Sequence, residues 1–334
     1  MHNLKSLNPG HTPGWQLELA NAITSADELL AELGLGHLAN ALVDKPSFRL
    51  LVPRGFINKM QKGNAEDPLL RQVLPMAAEN STDGITDPVG DLAAMATPGL
   101  LHKYRGRVLL VTTGACAIHC RYCFRRHFPY ANANPGKQQW GGAIQYLSAH
   151  EDVDEVILSG GDPLVLDNAK LERLLFALEQ IPHLKWLRVH TRLPVVLPSR
   201  IDEELVALFQ TLRLRKTFVI HANHANELGA DEYAALHKLQ SSGATLLNQS
   251  VLLKGINDSA AALIDLSKRL YEAGVLPYYL HMLDPVQGAM HFDVSRSRAV
   301  DLMASLRKEL PGYLVPRLVR ENPGEASKTA IFTI

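Results

Sequence analysis

The three cysteines of this 334-residue chain, Cys116, Cys120 and Cys123, fall in one short window, GACAIHCRYCFRRH, at C-x3-C-x2-C spacing. Thiols grouped in this way ask for a shared ligand. Thiolates suit zinc or an iron-sulfur cluster. A structural zinc takes four closed ligands, and His119 or His127 could complete such a set. A cubane cluster held by three cysteines instead leaves one iron open to a further ligand. Three is also a poor number for a disulfide framework, which points to a reducing compartment.

Other residues gain interest from their positions. ILSGGDPL at 157–164 carries Gly160 and Gly161, and paired glycines free the backbone to come close to a ligand. His190, Thr191 and His221 close apolar runs, where a histidine serves either as a ligand contact or as a satisfied strand end. Asp284 precedes Pro285 and could simply cap a turn. Lys328 lies seven residues beyond Glu321, after a Pro-Gly turn; by residue type alone it is a solvated surface charge.

These residues need elements to position them. From about residue 100 to 320, short β-branched apolar runs alternate with helical patterns, the habit of βαβ units and a parallel sheet. The runs are RVLLVTT, DEVILSG, LKWLRVHT, KTFVIHA, ATLLNQSVLL and VLPYYLHML. Between them LERLLFALEQI, DEELVALFQTL, DEYAALHKLQSSG and AALIDLSKRLYEAG show three- and four-residue apolar spacing. Six strand-helix repeats predict an α/β fold, a partial (β/α)6 TIM-like barrel, with chemistry in the loops that follow the strands. Residues 1–98 read as a mostly helical extension, with a capping box at Ser25 and Glu28. Residues 99–310 read as the barrel core, and 311–334 as a terminal segment carrying Lys328.

Lysine plus arginine equals aspartate plus glutamate at 34 each, so no global field draws the chain to nucleic acid or a membrane surface. The start, MHNLKSLNPGHTPGWQ, has no leader-like apolar stretch, and no uncharged run is long enough to cross a bilayer, so a cytoplasmic location is expected.

The cysteine spacing, with Tyr122 just before the last thiol, resembles the signature of the radical S-adenosylmethionine superfamily. CRYCFRRHF is similar to its lysine 2,3-aminomutase branch. The similarity continues through ILSGGDPL, HTRLPVVLPSRI, HANHANE, LLNQSVLLKGIND, PYYLHMLD and ENPGEASK, over most of residues 95–328. The resemblance implies a 4Fe-4S cluster on the three cysteines, whose open iron binds S-adenosylmethionine. Reductive cleavage then gives a radical that takes hydrogen from the substrate. Tyr122, Ser159, Gly160, Gly161, Asp162, His190 and His221 fall where the family holds that nucleotide.

The resemblance also implies pyridoxal phosphate on Lys328 as a Schiff base, because P-G-x-x-x-K matches the family's lysine loop. Glu325, Ala326 and Ser327 stand where that loop is glycine-rich. Tyr104, Arg107 and Gln249 match positions around the cofactor phosphate, for which arginine is well suited. Arg125 matches the residue that grips the substrate carboxylate. Asp284 and Glu321 match two aspartates on the ε-ammonium of L-lysine; here the second is glutamate, one methylene longer. The shorter bacterial form that the chain resembles supplies (R)-β-lysine for modification of translation elongation factor P. It works beside a separate ligase and takes electrons from a flavodoxin- or ferredoxin-type donor. Two alternatives stand: an aminomutase for another amino acid, with glutamate disfavoured by the paired carboxylates, and a zinc-stabilised binding module without catalysis.

Overall fold

The computed structural model describes residues 13–44, 46, 48–133 and 140–332. The first twelve residues, with most of the segment read above for a leader, lie outside the described residues.

Among the described residues ten strands form one sheet in chain order: β1 Met95–Thr97, β2 Leu100–Tyr104, β3 Arg107–Thr113, β4 Glu155–Gly160, β5 Trp186–Thr191, β6 Arg215–Ile220, β7 Thr245–Val251, β8 Leu276–His281, β9 Arg317–Arg320 and β10 Thr329–Ala330. Pairing is parallel from β3 through β9. The outer strands β1, β2 and β10 join antiparallel. Since β1 and β10 end the sheet without meeting, the fold is an α/β partial barrel. The six strands expected from the apolar runs are β3 to β8.

The helices between them form for the reasons their sequences suggest. Asn168–Glu179 buries Leu171, Leu174, Leu175 and Leu178, one stripe at helical spacing, and Asp167 caps it by accepting from Lys170 N. Asp202 and Ser259 cap Glu203–Gln210 and Ala260–Glu272 in the same way. Sequence reading passed over Gly141–Ala149, which opens on two glycines, and Arg296–Glu309, whose exposed face is densely charged. It also passed over β1, β2, β9 and β10, which are two to five residues long.

The amino-terminal region holds helices Gly14–Ala20, Ala26–Leu33 and Arg54–Ile57, joined by short 3-10 turns. Ser25 accepts from Glu28 N at 3.3 Å, but the Glu28 carboxylate reaches Arg54 at 2.7 Å, so the structure shows half of the expected capping box. One apolar core runs from this region into the barrel, joining Leu30, Phe56 and Leu70 to Leu158 and Phe218. Among the described residues no helix is long and apolar enough to cross a membrane.

Candidate functional site

The cysteine loop leaves β3 and is held by the amino-terminal region. His119 N donates to Leu51 O (3.0 Å) and Arg121 N to Gln72 O (2.8 Å). Arg121 is fully buried, with its guanidinium donating to the Glu79 carboxylate and to Phe48 O. Arg126 donates to the same carboxylate at 2.6 Å and to Gly288 O at 2.8 Å. Glu79 thus ties two cations of the loop to a segment some forty residues upstream. Burial first, and then the neighbouring thiols, push the Cys116 thiol well up and the Cys123 thiol up to about 11. A bound metal would lower both again and hold Cys116 and Cys123 as thiolates.

Gly160 and Gly161 serve a close approach of backbone to backbone. A Cβ at Gly161 would stand 2.1 Å from Ala115 O, and one at Gly160, where φ is +119°, 2.6 Å from Thr113 O. Gly161 N and Asp162 N donate to Thr113 O and Ala115 O at 2.7 and 2.8 Å. The glycines therefore bring β4 against the root of the cysteine loop. The Asp162 carboxylate accepts from Leu164 N, Thr191 Oγ1 and Arg192 N. Burial raises its pKa to about 6 against those donors. All of these bonds are internal, so Asp162 fixes the turn after β5.

A chain of buried and half-buried charges runs from Arg125 to Lys328. Ser159 Oγ accepts from Arg125 Nη1 at 3.1 Å, and Arg125 Nε donates to Asp91 Oδ2 at 2.7 Å. Asp91 Oδ1 pairs with Lys103 Nζ at 2.6 Å. Lys103 reaches Glu321 Oε1 at 3.0 Å, and Lys328 Nζ lies 2.5 Å from Glu321 Oε2. Burial would raise the Glu321 carboxyl, but the two lysines hold it down to about 2. Asp284 differs. Burial, then the Glu321 charge, lift its pKa to about 7, and its buried Oδ1 has no hydrogen-bond partner.

His190, His221 and His281 stand beside this group. His281 is buried and the other two are half-buried; desolvation chiefly holds each imidazole low, and the nearby Lys328 charge adds to the effect. The rings of His190 and His221 stand 6.1 Å apart, and the Gln249 amide lies 2.9 Å from His221 Nε2. His190 Nε2 and His281 Nε2 have no hydrogen-bond partner. Burial, and then the nearby Glu321 carboxylate, raise the hydroxyl pKa of Tyr104. Arg107 opens β3, at the end opposite the cysteine loop, and its guanidinium stands 4.7 Å from the Tyr104 ring centroid. Tyr122 Oη accepts from Asn223 at 2.7 Å.

The structure thus gathers Lys328, Glu321, Asp284, Tyr104, His190, His221 and Gln249 in one cluster near Arg125. Asp91, Lys103, Glu79, Arg192 and His281 went unnoticed in the sequence. His281 and Arg192 do lie within the motifs PYYLHMLD and HTRLPVV. The cluster's orphaned polar atoms, Asp284 Oδ1, His190 Nε2 and His281 Nε2, beside a lysine, fit a polar ligand such as pyridoxal phosphate with an amino acid. The three thiols fit a cubane cluster. Among the described residues, no three His, Cys, Asp or Glu side chains are arranged around a single metal ion.

The model of the Radical SAM superfamily matches residues 110–266. L-lysine 2,3-aminomutase of Escherichia coli (strain K12) is 48% identical over 336 residues, covering 99% of this chain and 98% of that protein. The Haemophilus influenzae protein of the same name is 48% identical over 320 residues, 94% of each. That of Clostridium subterminale is 32% identical over 326 residues, 95% of this chain and 77% of the relative. Fold, thiols and sequence together define a radical S-adenosylmethionine enzyme, a class that works with a 4Fe-4S cluster and S-adenosylmethionine. Within that class the chain belongs to the lysine 2,3-aminomutase family and is an isomerase.

Proposed function

We propose that the enzyme moves the α-amino group of L-lysine to the adjacent carbon, giving (R)-β-lysine, with pyridoxal phosphate held on Lys328. The observation that carries this reading is the contact of Lys328 with Glu321, which faces the half-buried Asp284 with its unpartnered oxygen and is linked through Lys103 and Asp91 to the buried cation Arg125. When bound, the cluster and S-adenosylmethionine supply a hydrogen-abstracting radical, and pyridoxal phosphate a π system through which nitrogen can migrate.

The chain's own residues do the rest. Cys116, Cys120 and Cys123 would hold the iron. Tyr122, Ser159, Gly160, Gly161 and Asp162, with His190 and His221, would line the nucleotide side. Arg125 presents to the substrate carboxylate the part of its guanidinium that Asp91 and Ser159 leave open. Asp284 accepts the ε-ammonium through its unpartnered oxygen. Both Glu321 oxygens already serve Lys103 and Lys328, so Glu321 backs the site and orients the lysine. Tyr104, Arg107 and Gln249 would hold the cofactor phosphate, with Arg107 stacked on the Tyr104 ring. Holding the reacting carbon in place to within about 1 Å matters, since such misplacement costs on the order of a hundredfold in rate.

The wider role proposed is supply of (R)-β-lysine for modification of translation elongation factor P by a separate ligase. A flavodoxin- or ferredoxin-type protein would deliver the electron in the cytoplasm, where thiols stay reduced. The near full-length match to two 48% identical proteins named L-lysine 2,3-aminomutase supports the lysine substrate on which this role depends. The test is anaerobic incubation of reduced, cluster-loaded protein with S-adenosylmethionine, pyridoxal phosphate and L-lysine, followed by chiral chromatography. (R)-β-lysine is expected. Its absence from a cluster-loaded sample removes the assignment.

A further inference from the structure

Arg192 follows the strand end His190-Thr191 and is buried, 6% exposed. Its Nη1 lies 2.6 Å from Cys120 Sγ. Its Nη2 donates to Glu227 Oε2 at 2.8 Å and to Gln72 Oε1 at 2.7 Å. Glu227 is fully buried in turn, and its other oxygen accepts from Asn223 N, His224 N and Gln72 Nε2 at 2.8, 3.0 and 3.0 Å. The backbone of Arg192 is held by Asp162 at 2.6 Å. The rings of Phe56 and Tyr122 stand 5.5 and 5.7 Å from the guanidinium. Fixed at both ends and shielded from water, this cation is aimed at one of the three sulfurs.

We propose that Arg192 sets the reduction potential of the cluster through its hydrogen bond to Cys120, with Glu227 as the counter-charge that limits the effect. This rests on the reading of Cys120 as an iron ligand. Reduction adds one electron from an external donor, and no bond at Arg192 forms or breaks. The reduced cluster carries one more negative charge. A hydrogen bond and a positive charge at a ligating sulfur therefore favour it, and burial leaves that interaction weakly screened. Arg192 acts through Cys120 and is a positioning residue, not a catalytic one.

The test is a redox titration of the full-length protein, reconstituted anaerobically with iron and sulfide, without S-adenosylmethionine, and followed by electron paramagnetic resonance. Arg192→Gln should shift the midpoint to lower potential by on the order of a tenfold change in the reduction equilibrium, about 59 mV for one electron. Glu227→Gln, which unmasks the cation, should shift it the other way. Opposite signs follow from charge and would not follow from a loosened loop. Unmoved potentials, or shifts of one sign in both variants, overturn the proposal. So does an unmoved potential in Arg192→Gln with weakened S-adenosylmethionine binding, which would make Arg192 a nucleotide contact. If Arg192→Gln holds no cluster, Glu227→Gln decides: a positive shift supports the proposal and no shift overturns it. Wild-type protein that binds no cluster refutes the reading of the thiols first, and the proposal with it.

Discussion

Lys328 Nζ and Glu321 Oε2 stand 2.5 Å apart across the hairpin of β9 and β10, although seven residues separate them in sequence. Arg320 is registered with Thr329, so the residues at 321 and 328 face each other at the mouth of the loop. The Pro-Gly turn, with Gly324 at φ +83°, reverses the chain between them.

Lys328→Ala should abolish the pyridoxal absorbance while the iron content and the brown colour of the cluster persist. Borohydride reduction followed by mass spectrometry checks this. Cofactor still covalently attached to the variant would remove Lys328 from its role.

Asp284 makes two quantities depend on pH. Its folded carboxyl holds a proton up to about 7, because of burial and the facing Glu321, against Lys328, Lys103 and Arg320. An unfolded aspartate releases it near about 3.9. Between these values the native state binds more protons than the unfolded state, so this group makes stability fall as pH rises through the window. Only the ionised form pairs with an ammonium, so the KM for L-lysine should fall as pH rises through about 7. Asp284→Asn should flatten both dependences, as read from urea unfolding and steady-state kinetics over the same buffers.

Glu79→Ala leaves the buried guanidinium groups of Arg121 and Arg126 without their carboxylate. A loss of about 3–5 kcal/mol in urea-measured stability is expected, the cost of breaking a buried pair from one side. Iron incorporation should fall with it. A change within about 0.5 kcal/mol would show that the clamp is unimportant.

Gly161→Ala tests the approach of β4 to the cysteine loop. The added methyl would meet Ala115 O at 2.1 Å, so the loop must shift. Overpacking of this kind costs about 1–3 kcal/mol. Iron content per chain should drop, while far-ultraviolet circular dichroism at room temperature stays close to wild type.

The sequence made the repeating part of the molecule readable. β3 to β8 are runs of Val, Leu and Ile long enough to show themselves, and the cysteine spacing is local. Partnerships over long separations left no mark. Nothing near Asp91 says that it will grip Arg125, and nothing near Glu79 announces Arg121, because each contact exists only once the sheet has curled. Gly160 and Gly161 were noticed for the right backbone property, yet the neighbour they admit is the cysteine loop. The seven-residue spacing of Glu321 and Lys328 was visible. Their ion pair was not, since β10 is two residues long and carries no pattern.

The cysteine loop belongs to the barrel by sequence but is anchored by Leu51, Gln72 and Glu79. The positions of its three thiols therefore depend on the packing of the amino-terminal region as well as on the barrel. A truncated chain beginning at the barrel would keep every thiol and still be a poor acceptor for a cluster delivered by the cell's assembly machinery.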